Sequence, residues 1–225
     1  MGIENIKVVS FACYGTLIDW DYGAQLALLE ILADKSGSID IETFQFRWED
    51  EHFQIMLQPW QPFRDCLRRS LRAALEHFGE SYSEADGDRF VASVTEWLPF
   101  LGAQATLKRL KGAYKLAVLS NADNDLVKES LARQLGVEFD WQITAEDLKV
   151  HKPHRTFFEQ AQRILGVEPH QILHVAHGMR YDMTPAQQLG WGTMWVNRRG
   201  EGLGDVRQPD HTVIDLHELS DLIPV

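Results

Sequence analysis

Short apolar and β-branched runs are spaced unevenly along this chain, and the unevenness limits what it can fold into. Residues 7–11 (KVVSF), 115–119 (KLAVL), 141–144 (WQIT), 172–175 (ILHV) and 193–196 (TMWV) have the length and composition of buried strands. Helical stretches separate the later four. That alternation predicts an α/β chain with a Rossmann-like, doubly wound parallel sheet covered by helices on both faces. Between the first run and the second, from about Asp19 to Phe100, only helical patterns occur. They cover 22–35, 41–57, 63–78 and 83–97, and Pro59, Pro62 and Pro99 punctuate them. The third is strongly amphipathic, with Leu67, Leu71, Ala74 and Leu75 at helix spacing. The expected organisation is a core of residues 1–18 and 100–225 with a helical cap domain, 19–99, inserted after the first strand. Loops at the carboxyl ends of parallel strands build active sites. A cap over those ends excludes water and strengthens the electrostatics beneath it.

A length of 225 residues suits one large domain or a core with such an insert. The formal net charge of -11 repels nucleic acid and anionic membranes, so neither is expected as a partner. An anionic substrate would need positive charge concentrated locally. There is no long apolar run, and the opening residues lack a signal-peptide pattern. Ile6 stands where a myristoylation motif starting at Met1-Gly2 wants Ser or Thr. Cys13 and Cys66 make neither a disulfide framework nor a metal set. A soluble, cytoplasmic protein is expected.

Four polar constellations follow predicted strands. Phe11-Ala12-Cys13-Tyr14-Gly15-Thr16-Leu17-Ile18-Asp19 runs from a strand into a glycine turn. Ser120-Asn121 follows the second strand, Lys152-Pro153 comes next, with Pro153 expected to open a helix beginning HRTFFEQA, and Val175-Ala176-His177-Gly178-Met179-Arg180-Tyr181-Asp182 closes the fourth strand. Together, in this order, they resemble the four motifs of the haloacid dehalogenase superfamily. The resemblance covers nearly the whole chain, including the helical insertion and the tail PDHTVIDLHELSDLI, which is similar to the family's last strand and helix. Tyr-Gly-Thr-Leu, HKP and WVNR look most like the type II 2-haloacid dehalogenases.

That resemblance implies an aspartate nucleophile at the position held here by Ala12. A carboxylate attacks an electrophilic centre and forms an ester that water then cleaves; alanine cannot. Two explanations stay open: an Asp→Ala variant, or a natural pseudoenzyme that binds a small anion without turning it over. The intact polar residues around the position favour a variant, because an unused site has no physical need for them. The residue encoded at this position in the source genome separates the two.

The resemblance also assigns roles. Thr16 and Ser120 would donate hydroxyls to a substrate carboxylate, and Asn121 would hydrogen-bond near the nucleophile. Lys152 would hold the nucleophile ionised. Taken singly, each has a plainer reading as a turn-satisfying or solvated residue. Arg47 resembles the arginine that receives the leaving halide, and could equally pair with Glu51 at i+4. Trp20 would line an apolar pocket or simply pack in the core, and Asp19 is a polar candidate to face a ring nitrogen. Phe158 stands where the haloacid enzymes carry a tyrosine, and lacks its hydroxyl. His177 would transfer a proton or position water, and Asp182 would activate water or pair with Lys152. Superfamily phosphatases place a Gly-Asp pair, whose Asp binds magnesium, where this chain has Ala176-His177. With Ala12 as well, oxygen ligands are lacking, so neither metal nor cofactor is expected.

Tyr14 bears on the reaction. Phosphatases carry a second aspartate there as general acid, and a tyrosine, which ordinarily titrates at about pH 10, is a poorer one. A halide or an ammonium nitrogen leaves without that proton. The expected substrate is therefore a small anionic or zwitterionic carboxylate attacked at C2. An (S)-2-haloacid is the default by resemblance. Ring opening of a strained cyclic imino acid such as L-azetidine-2-carboxylate, an activity implied by another member of the dehalogenase-like group, is the alternative, and a magnesium-dependent phosphatase is a third. Resemblance also suggests a homodimer, for which no heptad or apolar stripe is visible.

Overall fold

The computed structural model describes residues 5–35 and 37–223, so the Met1-Gly2 pair considered for lipidation lies outside them. Six strands form one wholly parallel sheet in the order β3-β2-β1-β4-β5-β6. They are β1 (Val8–Ala12), β2 (Lys115–Ser120), β3 (Trp141–Thr144), β4 (Ile172–Ala176), β5 (Gly192–Val196) and β6 (His211–Val213). The five predicted runs are thus strands within a residue at either end, and the sixth strand lies in the tail. β1, β4 and β5 are buried along their whole length, which is why they read as largely apolar runs rather than alternating ones. Strand order reverses direction at β1, making the crevice beside β1 and β4 the topological switch point.

Between β1 and β2 lie α1 (Trp20–Ala33), α2 (Ile41–Met56), α3 (Phe63–His77), α4 (Glu84–Ser93) and α5 (Ala103–Lys111). Leu67, Leu71, Ala74 and Leu75 of α3 are all fully buried, as their spacing predicts. The expected helix over 83–97 is shorter. Ser83 and Asp86 form a capping box at its start, and at Val94–Glu96 the helix tightens to a 3-10 turn. The two connections of this helical block run side by side: Asp19 N–H donates to Leu98 O at 2.8 Å and Phe100 N–H to Leu17 O at 2.9 Å. The block shares its core with the sheet. Phe44, Trp48 and Leu67 belong to one buried cluster with Val9, Phe11 and Val118.

The start of α3 is tied to the sheet by a residue far away in sequence. Pro62, its N-cap, makes no side-chain cap. Asp123, beyond the end of β2, supplies one: its carboxylate accepts the N–H groups of Phe63 and Arg64 at 2.8 and 3.1 Å and the Arg64 Nε at 2.8 Å.

After β2 come α6 (Asn124–Ser130), α7 (Ala145–Leu148), α8 (Arg155–Leu165), α9 (Thr184–Gln188) and α10 (Leu216–Leu222). Pro153 does not open α8. The Lys152–Pro153 peptide is cis, His154 is extended, and the helix begins at Arg155.

Candidate active site

The carboxyl ends of β1, β2 and β4 converge on a cavity of about 240 Å³, closed from the other side by α1, α2 and α3. Cys13, Tyr14 and Gly15 reach it from β1, Ser120 and Asn121 from β2, and Lys152, His177 and Asp182 from the loops beyond. The helical block contributes Trp20, Glu49, His52 and Phe63.

Ala12 ends β1 and is 3% exposed, packed beside Ala176, Met183 and Trp195. It lies in register with Leu119 of β2. The Lys152 Nζ donates to that Leu119 carbonyl at 3.1 Å and to Asp182 Oδ1 at 2.6 Å. The ammonium is thus bonded to the residue paired with Ala12 on the adjacent strand. Both partners of the pair are buried. Burial alone would raise the Asp182 pKa, but the Lys152 charge and a hydrogen bond from His174 outweigh it and hold the carboxyl below its ordinary value. Asn121 fixes the Lys152 backbone from both sides: its Oδ1 accepts the Lys152 N–H at 2.7 Å and its Nδ2 donates to Lys152 O at 3.0 Å. Ser120 is buried, and its Oγ accepts the Ala122 N–H at 3.2 Å.

The turn after β1 is held rigidly. Gly15 has φ +80°, a conformation that a side chain disfavours. Arg198, following β5, donates to the carbonyls of Gly15 and Thr16 at 3.0 and 2.8 Å. Thr16 does not line the cavity. It is fully buried, and its Oγ1 accepts the His177 N–H at 3.0 Å, linking motif one to motif four. His177 does line the cavity. Its Nδ1 is 3.4 Å from Val196 O, a carbonyl that can only accept, so Nδ1 is the donor of that contact. Asp182 rides on a single π-helical turn, Met179–Met183, a backbone form frequent at functional sites. A Cβ on Gly178 would stand 2.6 Å from Asp182 Oδ2, so glycine is what lets the carboxylate approach.

Tyr14 lines the cavity with its ring and turns its hydroxyl away, to Ser130 Oγ at 2.9 Å and Leu126 O at 3.3 Å. Burial pushes its pKa well above the ordinary value, so it is not a proton donor to a leaving group. Trp20 stacks on Trp48 at 4.9 Å and forms the apolar wall. Three further expected contacts lie elsewhere. Arg47 pairs with Glu51 one turn along α2 and does not line the cavity. Asp19 caps α1 through the Tyr22 N–H and lines an adjoining cavity of about 330 Å³. Phe158 is fully buried against His174 and Trp191.

Other lining residues escaped the sequence reading. Asp21 and Glu49 project from α1 and α2. Asp21 pairs with Arg199 at 2.8 Å, and Glu49 accepts from Gln45 Nε2 at 3.1 Å. Burial raises the pKa of both carboxyls. Glu201, which is exposed, also lines the cavity. Lys152 is matched by Asp182 and Arg199 by Asp21, which leaves Glu49 and Glu201 as excess negative charge on the lining. His52 is buried among Trp20, Trp48 and Phe63, and burial lowers its pKa to about 3, so the ring is neutral.

A magnesium ion needs hard oxygen ligands. Position 12 offers a methyl group, His177 an imidazole, and the Asp182 Oδ1 is already bound to an ammonium. These residues do not fit the ion, and among the described residues no group of three or more His, Cys, Asp or Glu is arranged to hold a metal. No helix among them is long and apolar enough to cross a membrane.

A family profile described as haloacid dehalogenase-like hydrolase matches residues 6–190. An (S)-2-haloacid dehalogenase of Pseudomonas fluorescens is 25% identical over 221 residues, 97% of this chain and 96% of that protein. (S)-2-haloacid dehalogenase 2 of Pseudomonas sp. (strain CBS-3) is 27% identical over 230 residues, 98% and 97% of the two chains. Among solved structures, a dehalogenase superposes with a TM-score of 0.84 at 25% identity, covering 97% of each chain. The L-2-haloacid dehalogenase of Xanthobacter autotrophicus with chloropropionic acid covalently bound shares the fold, with a TM-score of 0.83 at 22% identity over 97% of this chain and 98% of that one.

Proposed function

The chain belongs to the haloacid dehalogenase-like hydrolase family, and on that premise we propose that, with aspartate at position 12, it hydrolyses a small 2-substituted carboxylic acid at C2. Ala12 is the disabled form of that nucleophile. The observation that carries this reading is the buried Lys152–Asp182 pair, whose ammonium bonds the carbonyl of Leu119, the residue in register with Ala12. A carboxylate there would be held ionised and close to the cavity. It attacks C2, the leaving group departs, and an aspartyl ester forms. Water activated by Asp182 then attacks the ester carbonyl, releasing a 2-hydroxy acid and regenerating the carboxylate. Ser120 and the end of β2 would receive the substrate carboxylate and Trp20 would pack against its carbon skeleton, a reading supported by their presence on the cavity lining.

A halide leaving group is supported by the relatives, which are (S)-2-haloacid dehalogenases. A second reading, a ring nitrogen that leaves on opening of a strained cyclic imino acid, is favoured by the lining. A halide needs a cation to receive it, and Arg47 is turned away to Glu51. The excess charge on the lining, at Glu49 and Glu201, is negative and suits an ammonium group.

The test is the Ala12→Asp protein in EDTA, given (S)-2-chloropropionate in one reaction and L-azetidine-2-carboxylate in another, with hydroxy acid followed by mass spectrometry. Turnover of either supports metal-independent hydrolysis at carbon and names the leaving group. Inactivity on both, with magnesium-dependent release of phosphate from phosphate esters, would sink the proposal.

A further inference from the structure

Beneath the cavity lies a buried polar chain that the four motifs do not account for. His174, in the middle of β4, is fully buried. Its Nδ1 is 2.9 Å from the hydroxyl of Ser10, the residue in register with it on β1, and its Nε2 is 3.1 Å from Asp182 Oδ1. Phe158 and Trp191 pack edge-on against the ring at 5.9 and 6.0 Å. A histidine inside an apolar strand is costly unless both ring nitrogens are satisfied, and here both are.

The partners settle where the proton sits. Burial lowers the His174 pKa, so the ring is neutral near pH 7 and carries one N–H. Asp182 is ionised and accepts only, so the nitrogen facing it must be the donor. Nε2 therefore carries the proton, and Nδ1 accepts from Ser10 Oγ, whose other acceptor, Leu173 O, is farther away at 3.5 Å. Asp182 Oδ1 thus takes two donors, Lys152 Nζ and His174 Nε2. Oδ2 is left against Gly178, which lines the cavity with Asp182.

We propose that His174 is a positioning residue for the second half of the reaction. Through the relay Ser10–His174–Asp182 it saturates one carboxylate oxygen and leaves Oδ2 as the base for the hydrolytic water. The inference rests on the aspartyl-ester reading above. Oδ2 takes a proton from water as the water oxygen bonds to the ester carbonyl carbon. The bond between that carbonyl carbon and the ester oxygen, which came from the aspartate, then breaks; this oxygen recovers the proton from Asp182 and leaves on C2 of the hydroxy acid, while the water oxygen stays in the regenerated carboxylate. Ester formation uses neither His174 nor Ser10, so the two half-reactions separate.

The experiment compares His174→Leu and His174→Gln, each in the Ala12→Asp protein, with (S)-2-chloropropionate and L-azetidine-2-carboxylate as probes. His174→Leu removes the donor. It is expected to slow ester hydrolysis roughly tenfold or more, the effect of losing a hydrogen bond to a charged group, while the ester forms at the parent rate. The adduct then accumulates on residue 12, where peptide mass spectrometry reads it. His174→Gln, which keeps an N–H near the Nε2 position, is expected to restore turnover. Hydrolysis by His174→Leu at the parent rate would overturn the proposal, as would Gln behaving like Leu. Failure of the Ala12→Asp parent to form any ester counts against the function proposed above. The relay is then judged by nitrogen NMR of labelled histidine in the chain as it stands: a neutral Nε2–H tautomer whose Nδ1 signal shifts in Ser10→Ala supports it, and an Nδ1–H tautomer, or an Nδ1 signal unmoved by Ser10→Ala, refutes it.

Discussion

Lys152→Met tests the electrostatics of the site most directly. The ammonium is 2.6 Å from Asp182 Oδ1, and the two side chains are 6% and 4% exposed. Methionine keeps the apolar stem and fills the space, so packing changes little and the lost charge dominates. The variant leaves a buried carboxylate with His174 as its remaining side-chain donor. Removing one partner of a buried pair costs about 3–5 kcal/mol. At about 2–4 °C per kcal/mol for a chain of this size, the melting temperature should fall by roughly 6–20 °C at neutral pH. The pH dependence carries the sharper sign. In the parent, the Asp182 pKa lies below 3.8, so its contribution is fully present above pH 3.8 and is lost as pH falls through the lowered value. Without Lys152, burial dominates and raises that pKa. The carboxylate then destabilises the fold above the raised value, and acidification through it relieves the strain. Urea unfolding followed by circular dichroism between pH 4 and 8 reads both. A variant within about 1 kcal/mol of the parent at pH 7, or one whose difference from the parent does not shrink on acidification, would refute the reasoning.

Asp123→Ala removes the cap of α3 and one end of the Arg64 pair, and is expected to cost about 2–3 kcal/mol in urea unfolding. His52 has its pKa lowered from 6.5 to about 3, so the unfolded chain binds more protons than the folded one between those values. Stability is then lost as pH falls through that window, and His52→Phe should flatten the slope of urea midpoint against pH. Glu49→Gln in the Ala12→Asp protein is expected to lower kcat/KM for L-azetidine-2-carboxylate about tenfold or more and to spare (S)-2-chloropropionate, if the carboxylate receives an ammonium; steady-state assays on both substrates decide it.

Much of the fold was legible because burial on both faces leaves a parallel strand few polar positions, so 7–11, 172–175 and 193–196 stand out as mostly apolar runs. The end of each strand then marked where polar residues would gather, and Lys152, Asp182, Asn121 and Ser120 do line one cavity. Arg47 was not decidable in the same way. Residues 47 and 49 point to different sides of one helix, and the phase of α2 against its neighbours turns Glu49 to the cavity and Arg47 to Glu51. Thr16 had the composition of a substrate ligand, but the approach of β1 to motif four gives its oxygen to a backbone N–H.

His174 makes the limit clearest. In ILHV it reads as one polar letter inside a strand, and only pairing with a residue 164 positions away supplies the hydroxyl that it accepts from. Periodicity and motif order determined the strands, the inserted helices and the side chains delivered to the sheet edge, since those follow from local burial along the chain. The sign of the cavity's charge, the tautomer of its buried histidine and the oxygen of Asp182 left for water were decided by tertiary structure. Hydrogen bonds and buried ion pairs act over about 3 Å, and which groups come that close depends on how distant segments pack.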